Sequence, residues 1–247
     1  MTTFADLLAA QVRRDPGRPF LTFYDVATGE RTELSLTTYA NWVAKAAGLL
    51  EDELGLDHED VLLVDLPCHW LGPVFLGAAW SVGLEVAFPD DTASPDAVVC
   101  GPDGLDSWGP RAGSLPVVAS ALHPLGLRFS DPLPTGVHDL GVEIWGQPDA
   151  YAGFNPPGPS EPDWEAAATG SLLTDGGRLL STQNPASPPG ICVLTEPLAR
   201  SGSLVLVVGA DDERLESVAI DERVTARHRA AHAALGPRGR RLGFGKT

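Results

Sequence analysis

Apolar positions change their period several times along the chain, and each change predicts an element. Phe4, Leu7, Leu8 and Val12 share one face of a short helix that stops at Asp15-Pro16-Gly17. PFLTFYDVATGERTELS holds two β-rich runs about Thr28-Gly29, which predicts a hairpin. Ser35 is placed to cap the next segment, where Leu36, Tyr39, Val43, Ala46, Ala47, Leu50 and Leu54 recur at spacings of three and four until Gly55. That spacing predicts an amphipathic helix.

Val61-Leu62-Leu63-Val64 is apolar without alternation, as a strand buried on both faces should be. HWLGPVFLGAAWSVG is apolar nearly all round and long enough for about four helical turns. Glu85-Val86-Ala87-Phe88 then returns as a strand, so the unit predicts a βαβ crossover in a parallel sheet. Shorter strands are expected at Ala97-Val98-Val99-Cys100 and Leu115-Pro116-Val117-Val118. Farther on come a strand at Arg178–Ser181, a helix at Ile191–Ala199 and a buried strand at Leu204–Val208. A helix over Asp211–Glu222 and a basic one over Val224–Leu235 complete the pattern. The fold class is therefore α/β, with parallel-containing sheets flanked by helices and an N-terminal hairpin.

Residues 130–136 are rich in proline and glycine, and predict a boundary between an N-terminal α/β lobe (1–130) and a second α/β lobe (137–247) packed on it. One continuous domain is the alternative. Five prolines between Gln147 and Trp164 exclude a regular helix or an inner strand there.

Charge narrows the function. Seventeen basic against thirty-three acidic side chains leave a net charge of −16, the wrong sign for nucleic acid or an anionic membrane surface. Seven of the basic residues lie after Glu222 with no acid among them, so the first 222 residues carry 10 basic and 33 acidic groups, a net of −23. Cys68, Cys100 and Cys192 are odd in number and widely spaced, which predicts neither a disulfide framework nor a zinc site. The first twenty residues do not read as a secretory signal, and no apolar run approaches the roughly 20 residues of a membrane span. A cytoplasmic protein is expected.

Catalytic motifs are scarce. Ala79-Trp80-Ser81-Val82-Gly83 lacks the first glycine of a nucleophile elbow, and no G-x-G-x-x-G follows a strand. The ending GFGKT has Arg240 where a phosphate loop needs its first glycine. His228 and His232 have metal-ligand spacing, but Arg229 between them would repel a cation. Asp65, Cys68 and His69 lie just past the carboxyl end of an inner strand, where open α/β sheets place their ligands. Trp70 either closes that crevice or packs. These four are the candidate ligand-binding residues, with packing as the competing role; no catalytic, cofactor-binding or metal residue is assigned.

Taken together, TFADLLAAQVRRDPGRPFLTFYD, LSLTTYANWVAKAAGLL and LDHEDVLLVDLPCHWLGPVFLGAAWSVGLEVAFPD resemble the N-terminal part of the adenylate-forming enzymes. Those are the acyl-CoA synthetases, luciferases and nonribosomal-peptide adenylation domains. LLTDGGRLLSTQNPASPPGICVLTEPLARSGSLVLVVGADDERLESVAIDERVTARH resembles the region just beyond their phosphate loop, so the resemblance touches about two thirds of the chain. It implies that fold. It also implies a Ser/Thr/Gly-rich loop ending in Pro-Lys-Gly between about Ala150 and Ser171. Here stand the proline-rich segment and then Thr169-Gly170-Ser171, with no lysine after them; Gln183–Ser187 lacks the family's aromatic or His position, and Lys45 and Lys246 are the chain's only lysines. The adenine- and ribose-binding motifs and the C-terminal domain with its catalytic lysine have no counterpart. Missing phosphate donors cost about 10²–10³ each in rate.

The expectation is thus a catalytically degenerate relative with a binding, scaffold or regulatory role, no cofactor, and a homodimer or protein partner. The alternatives are an enzyme of altered chemistry on a small acyl or carboxylate substrate, or one subunit of a split AMP-forming ligase completed by a partner chain.

Overall fold

Helix α1 (Phe4–Arg14) opens with a capping box: Thr3 Oγ1 accepts the Asp6 N–H at 3.2 Å, and the Asp6 carboxylate accepts the Thr3 N–H at 3.4 Å. Strands β1 (Pro19–Asp25) and β2 (Glu30–Ser35) form the expected hairpin, with Gly29 at φ +77°. Ser35 Oγ accepts the Thr38 N–H at 3.1 Å and starts α2 (Leu36–Gly48), which a π-helical turn over Leu49–Glu53 extends toward Gly55. Strand β3 (Val61–Asp65), α3 (Leu71–Val82) and β4 (Glu85–Ala87) make the predicted parallel crossover. Then come β5 (Ala97–Cys100), the single-turn α4 (Leu105–Trp108), β6 (Val117–Ala119), β7 (Val137–Asp139) and the single-turn α5 (Leu140–Glu143). The short α6 (Trp164–Ala168), β8 (Arg178–Ser181), α7 (Cys192–Ala199), β9 (Ser203–Val208), α8 (Asp212–Asp221) and β10 (Ala226–His228) follow. This computed structural model describes residues 2–153 and 156–229.

Two five-stranded sheets result, ordered β4-β3-β5-β6-β7 and β10-β8-β9-β1-β2; every pairing but the hairpin is parallel. The sheets draw strands from both sides of residues 130–136. Strand β7 extends the sheet of β3, and β1 lies between β2 and β9. Between the sheets, α1, α2, α3 and α7 share one core with Leu62, Val64, Leu204 and Leu206. The alternate residues face outward into smaller cores: Leu63 and Val98 on one side, Val205 and Val207 against α8 on the other. At the centre Gly77 of α3 is packed so closely that a β-carbon would meet Phe4 Cζ at 2.7 Å and Tyr39 Oη at 2.9 Å.

One expected element is corrected. Val224–Leu235 does not begin as a helix: Arg223 takes φ +53°, ends α8, and turns the chain so that Ala226–His228 pair with Leu179–Ser181 as β10. The edge of β8 supplies hydrogen-bond partners that a helix there would have forgone. Residues 230–247, including His232, Lys246 and GFGKT, lie outside the described residues. Among the described residues no helix is long and apolar enough to cross a membrane.

The proline-rich segment acts as a strap. Ser160 Oγ accepts the Val86 N–H at 2.8 Å, covering the open edge of β4, and Glu161 Oε1 takes the Phe4 N–H and the Trp164 indole N–H, both at 2.6 Å. Farther round, buried Glu222 at the end of α8 binds Tyr24 at 2.5 Å, Arg31 at 2.9 Å and Arg178, tying three elements of the second sheet together. Burial would raise its pKa, but the hydrogen bonds from Tyr24, Arg178 and Arg31 outweigh it and hold it below the ordinary value. A carboxylate depressed on folding stabilises above its unfolded pKa, and that contribution is lost as pH falls toward the folded value. Glu222→Gln should therefore lower stability at pH 7 by about 2–3 kcal/mol. It should also flatten the acid limb below about pH 4.5, as read by denaturant melts at several pH values.

Candidate functional site

The carboxyl ends of β1, β3, β6 and β9 converge on a crevice of about 700 Å³ between the two sheets. Phe23, Pro67, Leu122, Pro124 and Val208 give it apolar walls; Asp25, Glu30, His69 and His123 give it polar points. Pro67 ends the run from β3 and sets the entry to α3, so Cys68 and His69 fall on the wall.

His69 is 4% exposed, edge-on to Phe23 with ring centres 4.8 Å apart. Its Nδ1 accepts the Leu71 N–H at 3.3 Å, which assigns the ring proton to Nε2, and Nε2 has no partner among the described residues. Burial drives the pKa down to about 4, with Asp25 opposing, so the ring is neutral at pH 7. The Cys68 thiol is pushed up to about 12 by burial and is not a nucleophile at neutral pH. Asp65 lies outside the crevice in an adjoining recess of about 290 Å³, where its Oδ2 accepts the Trp108 indole N–H at 2.7 Å. Trp70 lines neither: it is fully buried, edge-on to Trp42 at 4.9 Å. Of the four sequence candidates, two share the crevice, one braces its neighbour and one packs the core. Asp25 and His123 went unpredicted. Asp25 reaches the crevice because β1 pairs with β9, a long-range pairing, and His123 because it follows the carboxyl end of β6.

Thr169-Gly170-Ser171, the one stretch with the composition of the expected phosphate loop, lies elsewhere, between α6 and α7. Thr169 Oγ1 bonds back to Glu165 O and Ala166 O at the end of α6. Just after that stretch, the Leu172 N–H donates at 2.8 Å to Oε2 of buried Glu196. Gly170 O accepts from Arg200 at 2.6 Å, and a β-carbon at Gly170 would strike the Glu196 carboxylate. Among the described residues no group of three or more His, Cys, Asp and Glu is arranged to hold a metal.

No protein-family model matches the chain. A TIGR03089 family protein of Mycobacterium tuberculosis is 34% identical over 233 residues, spanning 89% of this chain and 95% of that one. Solved structures with the same fold include an acyl-CoA synthetase of Brucella canis (TM-score 0.72, 16% identity, covering 90% of this chain and 47% of that one). The N-terminal domain of FACL13 from Mycobacterium tuberculosis gives 0.67 at 12% identity, covering 91% and 62%. Acetoacetyl-CoA synthetase from Streptomyces lividans gives 0.67 at 14%, covering 92% and 42%. The chain thus has the fold of the N-terminal part of acyl-CoA synthetases and spans about half their length.

Two outcomes test the site's electrostatics. The unfolded imidazole titrates near about 6.5 and the folded one near 4, so between them the unfolded chain binds the extra proton and stability falls as pH drops. By NMR, the His69 ring should stay neutral down to pH 5; a midpoint near 6.5 contradicts the burial argument. Alkylation of Cys68 in the native chain at pH 7.5 should run about 10³-fold slower than for a free thiol, as mass spectrometry of the labelled peptide would show.

Proposed function

The chain belongs to the TIGR03089 family, and from that premise we propose that it is a non-catalytic binding or regulatory protein built on the acyl-CoA synthetase N-terminal fold. The observation that carries this reading is the Glu196 carboxylate on the Leu172 N–H, at the one segment with phosphate-loop composition. A phosphate arriving there would meet a fixed negative charge and an amide already satisfied, inside a chain of net charge −16. The strap supports it too, because Ser160 and Glu161 serve the edge of β4 and the start of α1 rather than a nucleotide.

Binding belongs to the crevice. The buried His69 Nε2–H, with no acceptor among the described residues, favours a ligand that supplies one. The apolar walls suit a hydrocarbon body. Asp25 and Glu30, with no Lys or Arg lining the crevice, disfavour a free carboxylate, so the ligand class is an apolar molecule with a neutral carbonyl. The states of His69 and Cys68 weigh against the rival reading of altered chemistry, since a base near 4 and a thiol near 12 are both inactive at pH 7.

Pyrophosphate exchange into ATP, run with the full chain over short- to long-chain carboxylic acids, should stay at background. An acyl-adenylate made by the chain alone would overturn the proposal. A titration of neutral esters against the matching free acids should show binding of the esters, weakened about tenfold or more in His69→Phe.

A further inference from the structure

A second cavity, of about 510 Å³, lies apart from the crevice where α1 and α7 both end. In a strongly acidic chain its lining carries three arginines, Arg14, Arg18 and Arg200, against Asp15 and Asp175. We propose that this cavity binds a compact oxyanion of the phosphate class, independently of the crevice.

The donors are held in place by the fold. Arg18 donates to Ser201 O, to Gly202 O at 2.5 Å and to Gln11 Oε1 at 3.0 Å. Gln11, itself buried, donates to Leu198 O at 3.3 Å and to Ser201 Oγ at 2.9 Å. Arg200 is fixed by Gly170 O and by Asp175 at 2.9 Å, while its buried Nε has no partner among the described residues. Arginines at helix C-termini have a purely structural use, and Arg18 fills it by satisfying the carbonyls after α7. Arg14 does not. Its fork makes one bond, to Ser201 Oγ at 3.3 Å, and among the described residues no carboxylate lies within 4 Å of Arg14 or Arg18.

Ser201 is the second sign. It sits at φ +53°, a conformation that favours glycine, directly before Gly202. Its hydroxyl oxygen accepts from both Gln11 and Arg14, which leaves its proton to donate elsewhere. The largely unused fork of Arg14 and the Ser201 O–H come from separate segments lining one space, with the Arg200 guanidinium adding positive charge beside them. Such a set suits a tetrahedral oxyanion better than a planar carboxylate.

Isothermal titration of the full chain with inorganic phosphate, at constant ionic strength, tests this. Saturable binding is expected, with acetate clearly weaker. Arg14→Gln should weaken phosphate binding about tenfold or more without changing the melting temperature. Ser201→Gly relieves the backbone, so it should melt at or above the parent temperature and still bind phosphate more weakly. Absence of saturable binding, an equal response to acetate, or undiminished affinity in either variant overturns the site. None of these outcomes bears on the crevice, which this proposal does not touch.

Discussion

Helix α3 has no charged residue between Leu71 and Val82, and nearly all its side chains are buried, so both sheets have to assemble around it. Its contact with α1 and α2 runs through Gly77, against which Phe4, Tyr39 and Val43 close; Tyr39 in turn donates to Pro73 O at 2.9 Å. Overpacking at such a point costs on the order of 1–3 kcal/mol, a large share of a domain's net stability. The entry to α3 sets the position of Cys68 and His69, and its exit at Gly83 (φ +86°) delivers β4 to its partner. Crevice and sheet are therefore consequences of one buried helix.

The chain has the fold of the N-terminal part of acyl-CoA synthetases, and the backbone around Gly170 is bonded within the chain. Where a nucleotide loop would leave backbone amides open, Glu196 accepts one of them and Arg200 takes a neighbouring carbonyl. Two charges of opposite sign thus close the segment from within. The buried arrangement at Glu222 follows the same rule in the second sheet, with a carboxylate made tolerable by three donors rather than by water.

Legibility in the sequence followed the range of the interactions. The hairpin, α2 with its Ser35 cap, and the β3-α3-β4 unit are set by neighbours within about thirty residues, and periodicity and turn chemistry expose them. Strand β10 has no local signature, and its sequence reads as helix, because its three residues gain hydrogen bonds only beside β8, some fifty residues earlier. The same limit applies to the site: Cys68 and His69 follow from a strand's carboxyl end, as His123 does from β6, whereas Asp25 reaches the crevice through the pairing of β1 with β9. Trp70 and Asp65 share the local signal but were taken by packing and by the Trp108 indole.

Burial of the thiols separates cysteine count from redox exposure. With Cys68 and Cys100 both pushed to about 12, the thiolate needed to start a mixed disulfide is scarce at those two positions, and burial raises the Cys192 thiol as well. Cys68 and Cys100 are thereby slow to enter covalent cross-links, so the number of unpaired cysteines in such a chain carries little information about the compartment it works in.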